Sequence, residues 1–311
     1  MLGKQTDNSM PEAVNKQEQG MTVVRLAILM TCHNRVAGAT QCIGKLKAQK
    51  IEKVQLNIFL VDDGSTDGTA DAIRQQFPDT TILTGDGNLY WCGGTRLAFS
   101  LAMQDDFDFY LWLNDDTFLY PDALQRLLAT YYEVAKETGN ALIVVGSTRD
   151  SETGSFTYGG WRHRNGMLGS NSWEKIPPET NRPIFCDTIN GNCVLIPRDV
   201  VRRIGNLDMV FTHGIGDLDY GLRAKRKGCQ IVISPGYAGE CKANDGSGLW
   251  TDRNLSDQLR WKKLIGPKGL PIKEWGVFCR RHRGILWPLV WLSPYIRFWV
   301  RALLPYKKDA R

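Results

Sequence analysis

Apolar residues run almost unbroken through Val23–Met30 (VVRLAILM), Leu56–Val61 (LNIFLV) and the aromatic-rich stretch from Phe107 to Leu113 (FDFYLWL). Runs of this kind, without strict alternation, are what strands buried on both faces require. Each one breaks abruptly into polar residues. The first ends in Thr31-Cys32-His33-Asn34-Arg35, the second in Asp62-Asp63-Gly64-Ser65-Thr66-Asp67-Gly68, and the third in Asn114-Asp115-Asp116-Thr117. Helix-compatible segments follow to about Lys50, from Asp67 to about Phe77, and from Gly93 to Gln104. A short strand, Thr80–Leu83, precedes the turn Gly85-Asp86-Gly87-Asn88. Four strands alternating with helices across short loops predict right-handed βαβ units and a parallel sheet.

A helix over Tyr120–Glu137 and a strand over Ala141–Val145 extend this pattern. The character then changes. Asp150 to Pro183 is rich in Gly, Ser, Asn and aromatic residues, which predicts short β segments and loops over a cleft. Strand returns at Ile189–Ile196, a short helix at Pro197–Ile204, and a helix ending at Lys227 with Gly228 in the C′ position that favours glycine. One more strand is expected at Cys229–Ile233. The chain has no internal repeats.

A length of 311 residues, with 42% hydrophobic and 10% aromatic content, suits one large α/β domain with an appendage or two modest domains. The net charge of +6 hides an asymmetry. Thr251 to Arg311 carries fourteen Lys/Arg against four Asp/Glu, so the preceding residues are net acidic by about four charges. A partner for basic charge is therefore sought at the C-terminal end. The eight cysteines form no CxxC pair, which argues against a zinc site or a disulfide framework and fits a reducing cytosol. Residues 1–20 are polar, lack the apolar stretch of a signal peptide and are expected to be disordered, with Met21 as an alternative start.

Three polar residues at the end of a buried strand are costly unless they face a cleft or a ligand. Ligands of open α/β sheets sit beyond the carboxyl ends of the strands, where Asn114, Asp115 and Asp116 fall. Holding a divalent cation against a diphosphate fits, because magnesium-like ions take one or two carboxylates and fill their remaining sites with water and phosphate oxygens. The alternative is a plain loop in which Asp116 or Thr117 caps a helix starting near Pro121. Asp62 and Asp63 have two readings as well: a turn with side-chain bonds to the backbone, or carboxylates that meet ribose hydroxyls and a base N–H. His33 suits a structural hydrogen bond. Arg35 and Arg96 suit either phosphate contact or a solvated surface. Asp219 and Arg223 are spaced for an intrahelical ion pair. Asp217 opens the same helix after nearby glycines, so it either caps the helix or acts as a base to which a substrate can come close.

Four motifs in order, Asp62-Asp63-Gly64-Ser65, Asn114-Asp115-Asp116, Gly191-Asn192 and Gly216-Asp217-Leu218-Asp219, resemble the family-two inverting glycosyltransferases of GT-A fold. The similarity covers about Val23 to Glu240. The segments PKGLP and WPLVWLSP look like the tail of bacterial members, rhamnosyltransferase-like, that build surface polysaccharides. The resemblance implies a mostly parallel sheet flanked by helices, with a nucleotide-sugar half at about 21–147, an acceptor half at about 148–250 and a basic, Trp-rich helical region at 251–311. It implies that Thr31, Asp62 and Asp63 hold the base and ribose of a nucleoside-diphosphate sugar, and that Asn114, Asp115, Arg96, Gly191 and Asn192 complete the donor site. Asp116 is implied as the ligand of Mg²⁺ or Mn²⁺, Asp217 as the catalytic base and Asp219 as a secondary acidic residue. Two departures stand out. Asn114 takes the place where the family often has a first aspartate, and Gly216 the place where many relatives carry an acidic residue. The late histidine that many such enzymes give to the metal is matched only by His282, in the tail.

In that tail, Trp261, Trp275, Trp287, Trp291 and Trp299 are interleaved with Lys and Arg, while the apolar run Ile285–Ile296 is too short to span a bilayer. Such a pattern fits a surface lying among lipid headgroups. The alternative is a helical appendage with the Trp residues in its core. No nucleic-acid-binding module is recognised. The expected activity is inverting transfer of a sugar to a hydroxyl of a growing cell-surface glycan, with a glycan or lipid-linked glycan as acceptor, at the cytoplasmic face of the membrane. A non-catalytic membrane-attached assembly subunit is the rival, separable by donor hydrolysis with and without metal. A sugar nucleotidyltransferase would need a glycine-rich basic loop after the first strand, and TCHNRVAG is not one.

Overall fold

The structure, a computed structural model, describes residues 23–139, 141–165, 171–244 and 246–303; the expectations for residues 1–20 and Met21 fall outside them. The first half reads β1 (Val24–Cys32), α1 (Val36–Lys47), β2 (Val54–Asp62), α2 (Thr69–Gln76), β3 (Thr81–Thr84), α3 (Tyr90–Ala102), β4 (Phe109–Leu113), β5 (Phe118–Leu119), α4 (Ala123–Thr138) and β6 (Leu142–Arg149). Short strands β7 (Phe156–Tyr158), β8 (Gly160–Asn165), β9 (Asn171–Ile176) and β10 (Ile184–Phe185) follow. Then come β11 (Cys193–Pro197), α5 (Arg198–Ile204), α6 (Gly216–Arg226), β12 (Gln230–Glu240), α7 (Asp257–Leu264), α8 (Ile272–His282) and α9 (Trp287–Leu303).

The main strands lie in the order β3-β2-β1-β4-β11-β6-β12. All run in one direction except β11, which pairs antiparallel with β4 and β6, so the α/β sheet is mostly parallel. Alternation along β1 shows why the apolar runs are unbroken. Leu26, Ile28 and Met30 pack with residues of α1 and α4, such as Ile43 and Leu127. Ala27 and Leu29 face the other way, in a cluster with Ala98 and Phe99 of α3. Each face of the sheet is thus covered, and the polar residues that end β1, β2 and β4 are left at one rim.

Three of the boundaries that differ from the sequence reading have a clear local reason. α3 begins at Tyr90 and not Gly93, because the Asp63 carboxylate accepts the N–H groups at its start. The strand expected from Ile189 begins at Cys193, after the Gly191-Asn192 turn. β12 runs on to Glu240 through register shifts after Ile233, where its far end pairs with β5.

The C-terminal helices pack on the sheet domain and on each other. Phe278 of α8 is buried with Cys92 and Phe211. Leu264, Tyr295 and Phe298 form a further core, with Trp250, Trp261, Trp275 and Trp291 around it. For Trp261, Trp275 and Trp291 the packed-appendage reading therefore holds, whereas Trp299 is exposed. Among the described residues no helix is long and apolar enough to cross a membrane.

Candidate active site

The order β3-β2-β1-β4 places β4 on the opposite side of β1 from β2, so the order in which the chain adds its parallel strands reverses between β1 and β4. A crevice at the carboxyl ends of such strands is where an open α/β sheet binds its ligand. Thr31, the Asp62-Asp63 pair and Asn114-Asp115-Asp116 are all at or just beyond those ends. The loops are tied together there. Asn34, at φ 51°, donates its backbone N–H to Ser65 Oγ (2.8 Å) and accepts from the Thr66 N–H (2.7 Å). Asp67 accepts from the Val36 N–H (3.0 Å) at the head of α1, and His33 Nδ1 lies 2.6 Å from the Asp63 carbonyl oxygen.

Asp62 and Asp63 are both buried but do different work. Asp62 accepts one backbone N–H, from Ser65 (2.9 Å). The Asp63 carboxylate accepts three, from Gly87 (2.9 Å), Leu89 (3.2 Å) and Tyr90 (2.9 Å), and so anchors the turn and the start of α3. Asp62 is the member with more capacity for a ligand. The Thr31 hydroxyl lies under α3, where a Cβ at Gly94 would overlap it. Arg96 is occupied by the carbonyls of Phe211 (3.2 Å) and Asp208 (3.4 Å), which makes it a clamp on the loop before α6.

At the end of β4, Asp115 is buried, and burial pushes its carboxyl up to about 7 against the lowering pull of Arg35, with Asp116 raising it further. Arg35 Nη1 lies 2.6 Å from Asp116 Oδ2 and 3.8 Å from Asp115 Oδ1. A cation is thus already drawn to this pair. Asp116 is more exposed than Asp115, and Cys241 Sγ lies 3.6 Å from its other oxygen. Asn192 donates to the same sulfur (3.3 Å).

Asp217 is joined to this pair through a residue that the sequence reading did not single out. The Trp91 indole N–H donates to Asn114 Oδ1 (2.7 Å), and its ring covers Gly191 so closely that a Cβ there would overlap it. The Gly191 N–H in turn donates to Asp217 Oδ2 (2.9 Å), while Asn114 N–H donates to the Asn192 carbonyl (3.0 Å). Asn114, Trp91, Gly191 and Asp217 are therefore one connected unit. Burial raises the Asp217 pKa, outweighing the lowering effect of its backbone donors Gly191 and Leu218. Ile215, just before it, sits at φ 56°, a conformation that β-branched residues rarely adopt and that often marks a functional site. Gly216 has a steric explanation: a Cβ would overlap Cys92 Sγ, so a side chain has no room here.

Asp219 is fully buried and belongs to a different network. It accepts from Arg223 Nε (2.8 Å), Arg281 Nη1 (3.2 Å) and His282 Nε2 (2.9 Å), and Arg281 also reaches Asp208 (2.5 Å). Thr212 gives both its N–H (3.1 Å) and its hydroxyl (2.8 Å) to Glu274. α8 thereby grips the loop that leads to Asp217, and His282 serves Asp219. The expected Asp219–Arg223 pair is present, with partners from α8 that lie more than 60 residues away in the chain.

The signal that could have marked Trp91 is its place at a helix start two residues before the pair Gly93-Gly94, but its partners are distant in sequence. Gly191→Ala tests the contact. The added methyl must displace the Trp91 ring, which is expected to cost about 1–3 kcal/mol and to shift the indole fluorescence. An unchanged melting temperature and spectrum would show that the ring has slack.

The residues at the end of β4 fit a divalent cation of the Mg²⁺ or Mn²⁺ type. They offer hard carboxylate oxygens that already attract Arg35, and such ions need only one or two of these when phosphate oxygens fill the remaining positions. Among the described residues no group of three or more His, Cys, Asp and Glu is placed to hold a metal alone.

Residues 27–202 match the family model described as Glycosyl transferase family 2. Two curated relatives are N-acetylglucosaminyl-diphospho-decaprenol L-rhamnosyltransferases of Mycobacterium tuberculosis, strains CDC 1551 / Oshkosh and ATCC 25618 / H37Rv. Each is 26% identical over 207 residues, covering 58% of this chain and 64% of the relative. The chain thus spans under two thirds of the length of the relatives it matches. Among solved structures, a mannosyltransferase from Pyrobaculum calidifontis in complex with GDP-Man and Mn²⁺ has a TM-score of 0.51 at 15% identity, covering 84% of this chain and 65% of that one. That likeness concerns the fold alone.

Proposed function

The chain belongs to glycosyl transferase family 2, and from that premise we propose that it moves a sugar from a nucleoside-diphosphate donor to a glycan hydroxyl with inversion. The observation that carries this reading is the connected unit Asn114–Trp91–Gly191–Asp217, which ties a carboxylate of raised pKa to the end of β4. The donor diphosphate would lie at the ends of β1 and β4, with Asp62 toward the nucleoside and Asp116, aided by Asp115, holding the cation. When bound, that ion would neutralise charge on the diphosphate. Arg35 would then exchange its Asp116 contact for phosphate.

Asp217 takes the proton of the acceptor hydroxyl as its oxygen attacks the anomeric carbon from the face opposite the diphosphate. The transition state has oxocarbenium character, as in other glycosyl chemistry, and no covalent enzyme intermediate forms. The names of the mycobacterial relatives support a lipid-linked acceptor and deoxyhexosyl transfer. A lipid-linked acceptor favours a peripheral location at the cytoplasmic face of the membrane and a surface glycan as product. Residues 21–147 would serve the donor and 148–250 the acceptor.

The experiment is a thermal-shift screen against UDP-, GDP- and dTDP-sugars with Mg²⁺ or Mn²⁺. Donor at about one hundred times its dissociation constant stabilises by about 2.7 kcal/mol. The Asp116→Asn variant is expected to lose the metal-dependent part of the shift and keep the part given by nucleotide alone. An undiminished metal-dependent shift in that variant would move the ion elsewhere, and no shift with any donor would favour the non-catalytic assembly subunit.

A further inference from the structure

α9 has two faces of opposite function. At 3.6 residues per turn, Trp291, Pro294, Tyr295 and Phe298 point one way, and Tyr295 and Phe298 are buried against Leu264. Leu289, Leu292, Ile296, Trp299 and Val300 occupy an arc of roughly 100° on the other side. These five residues are exposed, and the stripe continues into Ile285 and Leu286 in the preceding turn, with exposures from 40% at Leu292 to 93% at Ile285. No described residue covers the stripe. A continuous exposed apolar stripe, unlike scattered apolar residues, marks an interaction surface.

We propose that this stripe docks on the surface of an anionic lipid bilayer, with α9 lying in the plane of the interface. The inference deepens the peripheral location proposed above and rests on it. Charge selects the occupant. Arg297 and Arg301 are exposed along one flank of the stripe, and the segment from Thr251 onward has an excess of ten basic over acidic residues. A second copy would bring like charge against like charge, whereas an anionic headgroup layer complements it. Trp299 beside the arginines suits the boundary between headgroups and acyl chains. The helix cannot span, since its 17 residues reach about 25 Å and it contains Pro294. Trp291 Nε1 and Tyr295 Oη donate to the carbonyls of Ile272 (3.0 Å) and Leu270 (2.8 Å), which fixes α9 to the α8 unit that grips the Asp217 loop. Docking therefore sets how the cleft faces the surface that carries a lipid-linked acceptor.

The test is co-sedimentation of the full chain with vesicles of phosphatidylcholine alone or with phosphatidylglycerol added. Binding is expected to the anionic vesicles and to weaken as salt rises. Leu289→Glu/Ile296→Glu should weaken it by about tenfold or more, with melting temperature and donor-induced thermal shift unchanged, because both side chains are exposed and remote from Asp116. Arg297→Gln/Arg301→Gln should reduce the salt dependence. The proposal is overturned if the wild-type chain stays in the supernatant, or if the double glutamate variant binds equally well. Light scattering that shows a dimer dissolved by the glutamates would also overturn it, assigning the stripe to a second copy. Because donor shifts are read in the same samples, a failed donor site and a failed docking face give different results.

Discussion

Asp217→Asn is expected to yield a folded protein that binds its donor normally and transfers sugar about 10²–10⁴ times more slowly. The geometry makes this variant informative. The N-cap of α6 is Ile215, so Asp217 lies within the first turn and does not cap the helix; its two oxygens accept backbone N–H groups from Gly191 and Leu218. Asparagine keeps only one of these two acceptors, so a purely structural role predicts some loss of stability and a near-normal rate in the protein that folds. An amide, however, takes no proton at neutral pH. The pH dependence adds a second readout. Burial raises the Asp217 pKa, so the wild-type rate should rise with pH through a value above the ordinary carboxylate pKa of about 3.9. That acid limb should vanish in the variant. Stability should run the opposite way. A raised folded-state pKa contributes stability below the unfolded value that is lost as pH rises through the folded one. The variant carries no charge there, so its stability should lack this pH dependence. Near-normal transfer by a folded, donor-binding Asp217→Asn protein would take the base role away from this residue.

How much of this was legible in the sequence depends on the range of the interactions. The unbroken apolar runs revealed β1, β2 and β4, since a strand buried on both faces needs apolar residues at successive positions. The polar breaks located the rim of the sheet. The Asp219–Arg223 pair was readable because helical geometry fixes neighbours four residues apart. What stayed hidden was carried by contacts across the chain. Asp63 cannot be told from Asp62 until the turn after β3 brings three N–H groups to it. Arg96 has the charge for phosphate contact, but the loop before α6 takes it first. Trp91 looks like a core aromatic until Gly191, a hundred residues on, slides beneath its ring. The tail was ambiguous because Trp and Arg suit a packed helix and a lipid surface alike. The fold divides them, with Trp261, Trp275 and Trp291 inward and Trp299 outward.

Asp219→Ala is expected to be the most destabilising single change considered, by about 3–5 kcal/mol, because it breaks a buried charge network and leaves its partners uncompensated. Asp219 is fully buried, and the guanidinium groups of Arg223 and Arg281 and the ring of His282 all converge on it. Without the carboxylate, Arg223 loses its acidic partner and Arg281 keeps only Asp208. Asp219→Asn keeps the shape and one acceptor but not the charge, so its loss should be smaller. Burial alone would raise the Asp219 pKa, but the hydrogen bond from His282 and the attraction of Arg223 and Arg281 outweigh it, and the pKa is lowered. A lowered folded-state pKa contributes stability above the unfolded value of about 3.9 that is lost as pH falls through the folded one. Wild type should therefore show an acid-induced loss of stability that Asp219→Ala lacks, which urea melts at neutral and acid pH would measure. The loss should spread along α8, since Arg281 also holds Asp208 and Glu274 holds Thr212. Below its melting range, folded Asp219→Asn should still transfer sugar at a rate close to wild type, in contrast with Asp217→Asn. If the Asp219 variant is folded and inactive while the Asp217 variant turns over, the base is the other carboxylate.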